Sequence, residues 1–178
     1  KKGLSSGAHV NVLDISQNQL DELQHSFGTE NISYILSNTD SISNAISKSD
    51  LVIGSVYVVG KEAPKVITKD MLKVMKPGSV LVDISIDQGG CVETSRPTTH
   101  DDPVFIEDGV VHYCVTNMPG AVPLTASLAL NQATLPYIEK IADLGLSQAL
   151  KEDLHLANGL KMADGIVKHD SVSAALNN

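Results

Sequence analysis

Aromatic side chains make up only 3% of the 178 residues, and tryptophan is absent. A core must therefore be built from Val, Ile, Leu and Ala. Cysteine occurs twice, at Cys91 and Cys114. Two widely spaced thiols without further metal-ligand spacing fit a reducing, cytoplasmic setting and not a disulfide framework. None of His9, His25, His100, His112, His155 and His169 stands in an H-E-x-x-H pair, so no metal site is expected. No serine occupies a G-x-S-x-G elbow, which removes the hydrolase reading. No apolar run approaches the roughly eighteen residues of a membrane span, so no membrane partner is expected. Lys and Arg do not cluster, and the net charge is -8, so no nucleic-acid partner is expected either. Residues 1–7 are basic but lead into a strand-like run and not an apolar signal core.

What is present is alternation. Hydrophobic residues make up 42% of the chain, an ordinary share for a globular domain, alone or with a piece of another. Residues 9–15 (HVNVLDI) alternate in strand fashion and carry Asp14 at their end. Residues 17–27 place Leu20, Leu23 and Phe27 at helical spacing, with Ser16 as N-cap. A short strand is predicted at 32–36, then a helix at 41–49 capped by Thr39 or Asp40, with Ile42, Ala45 and Ile46 on one face. The β-branched run 51–59 has the character of a buried parallel strand. A helix over 68–75 ends at Lys76-Pro77-Gly78, and strands follow at 79–86 (SVLVDISI) and 109–115. Strands alternating with helices over short connections imply βαβ units, right-handed crossovers and helices on both faces of a parallel sheet. The predicted class is α/β, a Rossmann-like doubly wound parallel sheet. Beyond Pro119 the character changes. Residues 123–135 are rich in Ala and Leu, as in a helix buried on several sides, residues 137–156 are amphipathic, and a short polar tail follows from Asn158.

A dinucleotide fold normally opens with a strand, a G-x-G-x-x-G loop and a helix, and a ribose-binding acid follows about twenty residues later. Asp14 stands where that acid belongs, yet only thirteen residues precede it, and Gly3 and Gly7 do not form the fingerprint. Residues 1–8 read instead as the last turn of a helix running into the next strand. In the strand order 3-2-1-4-5-6 the strand not found is the central one. The sheet is then incomplete, with two apolar strand edges lacking partners and no helix N-terminus for a pyrophosphate. The chain by itself is expected to fold poorly and to bind a dinucleotide weakly.

Longer strings carry a resemblance. VDISIDQGGCVETSRPTTHDDPVF, DLVIGSVYVVGKEAPKVIT, MKPGSVLVDI and VTNMPGAVPLTASLALNQATLPYI together resemble the alanine dehydrogenase family, strongly over residues 9–137 and more weakly to the end. The resemblance implies an NAD-binding domain over residues 1–120, incomplete at its start, and a C-terminal helical segment over 121–178 that returns to a substrate domain. It implies oxidative deamination of L-alanine to pyruvate and ammonia with NAD, by way of iminopyruvate, and the reverse amination. It also implies a homo-oligomer, commonly a hexamer, and a partner in the N-terminal domain of the same enzyme. That domain holds the family's general acid–base histidine and substrate-carboxylate lysine. Two other readings remain open. One is the NAD(H)-binding module of a nicotinamide nucleotide transhydrogenase, and the other is a non-catalytic fragment of a split gene. Saccharopine-type dehydrogenases are more remote.

The same resemblance assigns residues. Asp14 would bind the adenosine ribose, where a carboxylate accepts two hydroxyls and repels the extra phosphate of NADP; the alternative is an acid capping the next helix. Gln19 departs from a basic residue common in the family. Ser37 would lie near the adenine, and Val56 and Tyr57 follow the next strand at the cofactor side. Asp87, after the SVLVDISI strand and before Gly89 and Gly90, matches the family's catalytic acid facing nicotinamide and substrate; the alternative is a turn-capping aspartate. Asp83 is its rival, with a partner the sequence leaves open. Ile84, Ser85 and Ile86 would lend backbone groups. Arg96 would either pair with a pyrophosphate oxygen or fix its own loop. Val115, Thr116, Asn117 and Met118 would close the site at the hinge, Asn117 by a hydrogen bond near the carboxamide and Met118 by packing on the ring. A capping role for Asn117 is the alternative.

Overall fold

The computed structural model describes residues 1–58 and 62–176. A single turn of helix, α1 (Lys2–Ser5), passes through Gly7 at φ 79° into β1 (Val10–Asp14). Ser16 caps α2 (Gln17–Phe27) by accepting from Gln19 N–H, and Leu20 is the residue this helix buries. β2 (Ile32–Leu36) then runs parallel to β1 in the register Val10 to Ile32. The next helix, α3 (Thr39–Ile46), begins earlier than predicted, because Asn38 is its cap and not Thr39 or Asp40. Asn38 Oδ1 accepts from Ser41 N–H at 2.8 Å and Asn38 N–H donates to Ser41 Oγ at 2.9 Å, a reciprocal capping box.

A second sheet holds β3 (Leu51–Gly54), β4 (Val80–Asp83), β5 (Val104–Glu107) and β6 (Val110–Tyr113), in the order β3-β4-β6-β5. β3, β4 and β6 are mutually parallel; β5 is an antiparallel edge. Helix α4 (Lys69–Leu72) lies between β3 and β4, capped by the Thr68 side chain. Three strand predictions are corrected here. The run 51–59 is strand only to Gly54, and Val59 lies outside the described residues. Gly54 approaches the next layer so closely that a Cβ there would meet Cys91 Sγ at 2.5 Å. The run 79–86 is strand only to Asp83, whose side chain accepts from Ser85 N–H and turns Ile84–Gln88 into a 3-10 helix. β5 was not predicted. It pairs with β6 through Asp108 and Gly109 at φ 49° and 80°, the backbone of a two-residue hairpin turn.

The architecture is α/β with a mostly parallel sheet, as the alternation implied. The five predicted strands are all present, but they divide into a β1–β2 pair and the four-stranded sheet. Each sheet ends where the sequence leaves a strand unaccounted for. β3 is the last strand of its sheet and exposes Leu51 and Ile53 at 55% and 57%. The core against the larger sheet is aliphatic, as the scarcity of aromatics required: Ile46, Ile67, Leu72, Met75, Leu81 and Val110 pack with the buried Cys91 and Val92.

The chain forms two compact units. The first is Lys1–Val56 with Ala63–Thr116, and the second takes the described residues of Tyr57–Glu62 and Asn117–Asn178. The second unit is helical: α5 (Pro123–Leu144), α6 (Leu146–Glu152) and α7 (Leu154–Gly159). Helix α5 is longer than predicted and runs through Pro136, which cannot donate to the Gln132 carbonyl. It was expected to be buried on several sides, yet no residue of it is buried, and Leu124, Leu128 and Leu130 are 74%, 63% and 66% exposed. The tail, expected to be short and polar, contains a small hairpin, β7 (Met162–Ala163) with β8 (Ile166–Val167), and α8 (Asp170–Leu176).

Candidate functional site around the turn after β4

Parallel strands present their carboxyl ends on one side, and ligands of open α/β sheets bind there. The site is built outward from the last residue of β4. Asp83 is completely buried. Its Oδ1 accepts from Ser85 N–H at 3.0 Å and from the Cys91 thiol at 3.4 Å. Its Oδ2 accepts from Cys91 N–H at 2.9 Å, Val92 N–H at 3.2 Å and Ser95 Oγ at 2.6 Å. A buried carboxylate is tolerated when donors replace its water shell. The chain between Ile84 and Ser95 is thereby wrapped around one side chain. The Cys91 thiol is pushed up to about 11, by burial first and by the charge of Asp83 second. Burial likewise raises the Cys114 thiol.

On the outer side of that wrap stands Asp87, in the 3-10 turn and exposed. Its carboxylate makes no hydrogen bond or ion pair with the described residues, so it is not the turn-capping acid considered from sequence. The turn closes through Gly89 and Gly90 at φ 85° and 76°. Gly90 has no room for a side chain, because a Cβ would stand 2.8 Å from Asp83 Oδ2. Ser85 is buried and joins the turn to the end of β3: its hydroxyl accepts from Val56 N–H at 2.8 Å and donates to the Val56 carbonyl at 2.9 Å. Ile86 is buried and Ile84 is 49% exposed. Lys65 reaches the same turn from outside, its ammonium donating to the carbonyls of Gly89 and, at 2.8 Å, of Gly90.

At the end of the β1–β2 pair, Asp14 Oδ1 accepts from Ser16 N–H at 2.8 Å, and the Asp14 carbonyl accepts from Ser37 N–H, also at 2.8 Å. Asp14 and Ser37 are thus adjacent, and the helix cap is Ser16 and not Asp14. Arg96 lies over the Phe105 ring at 4.3 Å, and Phe105 stacks on the buried His112 at 4.8 Å. The arginine therefore holds its own loop to the β5–β6 hairpin, one of the two roles considered for it. Val115 is buried and Thr116 half-buried at the end of the first unit. Tyr57, Asn117 and Met118 belong to the second unit. Tyr57 is 73% exposed, and Asn117 opens a 3-10 turn, Met118–Ala121, in left-handed conformation at φ 51° and without a side-chain cap bond. The sequence reading did not assign Lys65, and it left Asp83 without partners. The signal for Lys65 was its place inside a matching string; nothing in that string says which atoms it reaches.

Comparison with known proteins shows the family. The family model described as "Alanine dehydrogenase/PNT, C-terminal domain" matches residues 1–170. The chain belongs to that family. It is 50% identical over 175 residues to the alanine dehydrogenase of Halomonas elongata, covering 98% of this chain and 47% of the relative. The alanine dehydrogenase of Staphylococcus haemolyticus is 49% identical over 176 residues, with the same coverage of 98% and 47%. Among solved structures, an L-alanine dehydrogenase superposes with a TM-score of 0.86 at 43% identity, covering 99% of this chain and 48% of that one. A transhydrogenase from Sinorhizobium meliloti superposes with a TM-score of 0.69 at 25% identity, covering 91% and 42%. The chain thus spans about half the length of the relatives it matches. The family's domain binds a nicotinamide nucleotide, and the first unit fits one. It carries an acid at the end of β1 and a glycine turn bearing an acid at the end of β4. Among the described residues no cluster of His, Cys, Asp and Glu is suited to a metal ion, and no helix is long and apolar enough to cross a membrane.

Proposed function

We propose that this chain is the NAD-binding part of an L-alanine dehydrogenase that interconverts L-alanine with pyruvate and ammonia. The observation that carries the reading is the exposed Asp87, on a glycine turn at the carboxyl end of β4, in a chain whose relatives at about half identity are alanine dehydrogenases. Bound NAD supplies the acceptor for the hydride of the substrate carbon. Asp14 accepts the hydroxyls of the adenosine ribose, and Ser37 lies beside it at the adenine end. Val56 and the backbone of Ile84, Ser85 and Ile86 line the cofactor, with Tyr57 near that strand end. Asp87 accepts a hydrogen bond from the nicotinamide ribose and holds a proton during imine formation and hydrolysis. Arg96 secures the loop, within reach of a pyrophosphate oxygen. Val115, Thr116, Asn117 and Met118 take the nicotinamide contacts that the family resemblance implies for them, Asn117 to the carboxamide and Met118 to the ring. The division into residues 1–120 and 121–178, the substrate domain from the N-terminal half, a homo-oligomer such as a hexamer and a cytoplasmic setting belong to the same proposal. Transhydrogenase activity is the lesser reading, on the lower similarity of that structure.

The test is L-alanine-dependent reduction of NAD by the polypeptide that joins this chain to its N-terminal half. Asp87→Asn is expected to lower kcat by about 100-fold or more, the usual contribution of a positioned acid–base group, with NADH affinity changed little. Nucleotide-to-nucleotide hydride transfer without any response to alanine would replace the reading with the transhydrogenase one.

A further inference from the structure

The turn that carries Asp87 has a mechanical weakness. Gly89 and Gly90 both sit at positive φ, where glycine moves freely because it has no Cβ. The N–H side of the turn is closed from within: Gly89 N–H donates to the Ile86 carbonyl at 3.0 Å, Gly90 N–H to the Ser85 carbonyl at 2.9 Å, and Cys91 N–H to Asp83. Those bonds leave the carbonyl side. Each carbonyl shares a planar peptide with one of these N–H groups, so rotation of the peptides after Gly89 and Gly90 breaks the Gly90 and Cys91 N–H bonds as it swings the carbonyls and shifts the turn that presents Asp87.

Among the described residues the carbonyl side is held by one side chain. The Lys65 ammonium donates to the carbonyls of Gly89 and Gly90 together. Lys65 is carried there by a strip of backbone zipped along the far side of the turn. Ala63 N–H donates to the Gln88 carbonyl at 2.9 Å, Val66 N–H to the Cys91 carbonyl at 2.8 Å, and Glu93 N–H to the Ile67 carbonyl at 2.9 Å. Ala63 and Ile67 are buried beneath that strip, while Lys65 between them is exposed. Packing thus fixes the backbone of 63–67, and the lysine extends from an anchored strip onto the glycine pair. The Lys65 side chain has no carboxylate partner among the described residues; its ligands are two carbonyls.

We propose that Lys65 is a positioning residue for the reaction, clamping the Gly89–Gly90 carbonyls so that Asp87 is presented in one orientation. This rests on the dehydrogenase reading of Asp87. A carboxylate on an unclamped glycine pair samples several orientations, and small misplacements of a reacting group are expensive in rate. The chemical requirement is a cation with at least two donors at the end of a long arm. Arginine meets it and methionine does not.

The experiment uses the complete polypeptide carrying this chain, with Lys65→Met and Lys65→Arg compared to the parent. One readout needs neither cofactor nor turnover: amide hydrogen exchange across residues 84–91. Lys65→Met is expected to speed exchange there about tenfold or more, with the β4 and β6 amides unchanged, and Lys65→Arg to restore most of the protection. The second readout is steady-state kinetics. Lys65→Met is expected to lower kcat by about tenfold, with a smaller change in the KM for L-alanine, and Lys65→Arg to recover most of it. Unchanged exchange in Lys65→Met overturns the clamp. Faster exchange with an unchanged kcat overturns its role in positioning Asp87. A parent enzyme that does not respond to L-alanine overturns the dehydrogenase reading instead, and is seen before any variant is made.

Discussion

Asp83 shows how one buried side chain organises the turn around it. Its two oxygens divide the donors between them: Oδ1 takes Ser85 N–H and the Cys91 thiol, and Oδ2 takes Cys91 N–H, Val92 N–H and Ser95 Oγ. In Asp83→Asn, either amide orientation turns an NH2 group towards donors, leaving buried N–H groups unpaired. The expected loss is about 3 kcal/mol or more of folding stability, read from the urea midpoint; a loss below about 1 kcal/mol would mean that water satisfies the donors. The neighbouring thiol adds a pH dependence. Folding raises the pKa of Cys91 from an ordinary 9.0 to about 11, so the native state favours the neutral thiol. Its contribution is fully present below pH 9.0 and is lost as pH rises towards about 11. Urea midpoints measured across that window should fall more steeply in the parent than in Cys91→Ala. Equal slopes would assign the alkaline loss to other groups. At this scale the sequence was only partly legible. Asp87 could be read from its place after a strand and before two glycines. The partners of Asp83 could not, because four of its donors lie eight to twelve residues further on and meet it only once the loop has closed.

Secondary structure followed local chemistry wherever that chemistry was short-range. The helix at Gln17–Phe27 has the bounds and the Ser16 cap that its pattern predicted. α3 was placed correctly in its middle and misplaced at its start, because the Asn38–Ser41 capping box outcompeted Thr39 and Asp40. Asn38→Ala is expected to cost about 1 kcal/mol, and Asn38→Asp a few tenths at most; equal losses would show that the box contributes little. The strand 79–86 was read too long for a related reason. Apolar alternation continues through Ile84 and Ile86, but the Asp83 side chain captures the Ser85 N–H and ends the ladder. The β5–β6 hairpin is marked in sequence by Asp108-Gly109 between two apolar runs, a signal that the βαβ alternation does not contain. What pure pattern misses here is the side chain that competes with the backbone ladder.

The whole molecule is governed by the division of its sheet. β1 and β3 each end a sheet in the direction where the Rossmann order requires another strand, and β3 presents Leu51 and Ile53 there at more than half exposure. The alternation made this legible in sequence, since a parallel sheet read from its second strand leaves the central position open. The helical unit also leaves apolar side chains exposed: α5 buries none of its leucines. An open parallel edge with apolar side chains pairs with whatever strand is nearest, and in a purified sample that is another copy of the chain. These 178 residues produced by themselves are therefore expected to self-associate at roughly micromolar to millimolar concentrations, where unpaired strand edges aggregate, seen as a concentration-dependent rise in light-scattering mass. Ile53→Lys, which places a charge on that edge, should raise the monomer fraction, whereas Leu124→Lys on α5 should do so only if the helix is the adhesive surface. On the dehydrogenase reading, supplying the N-terminal half as a separate polypeptide should suppress association of the parent more than either substitution. A parent chain that remains monomeric throughout, and binds NADH tightly, would show that the two sheets suffice as they stand.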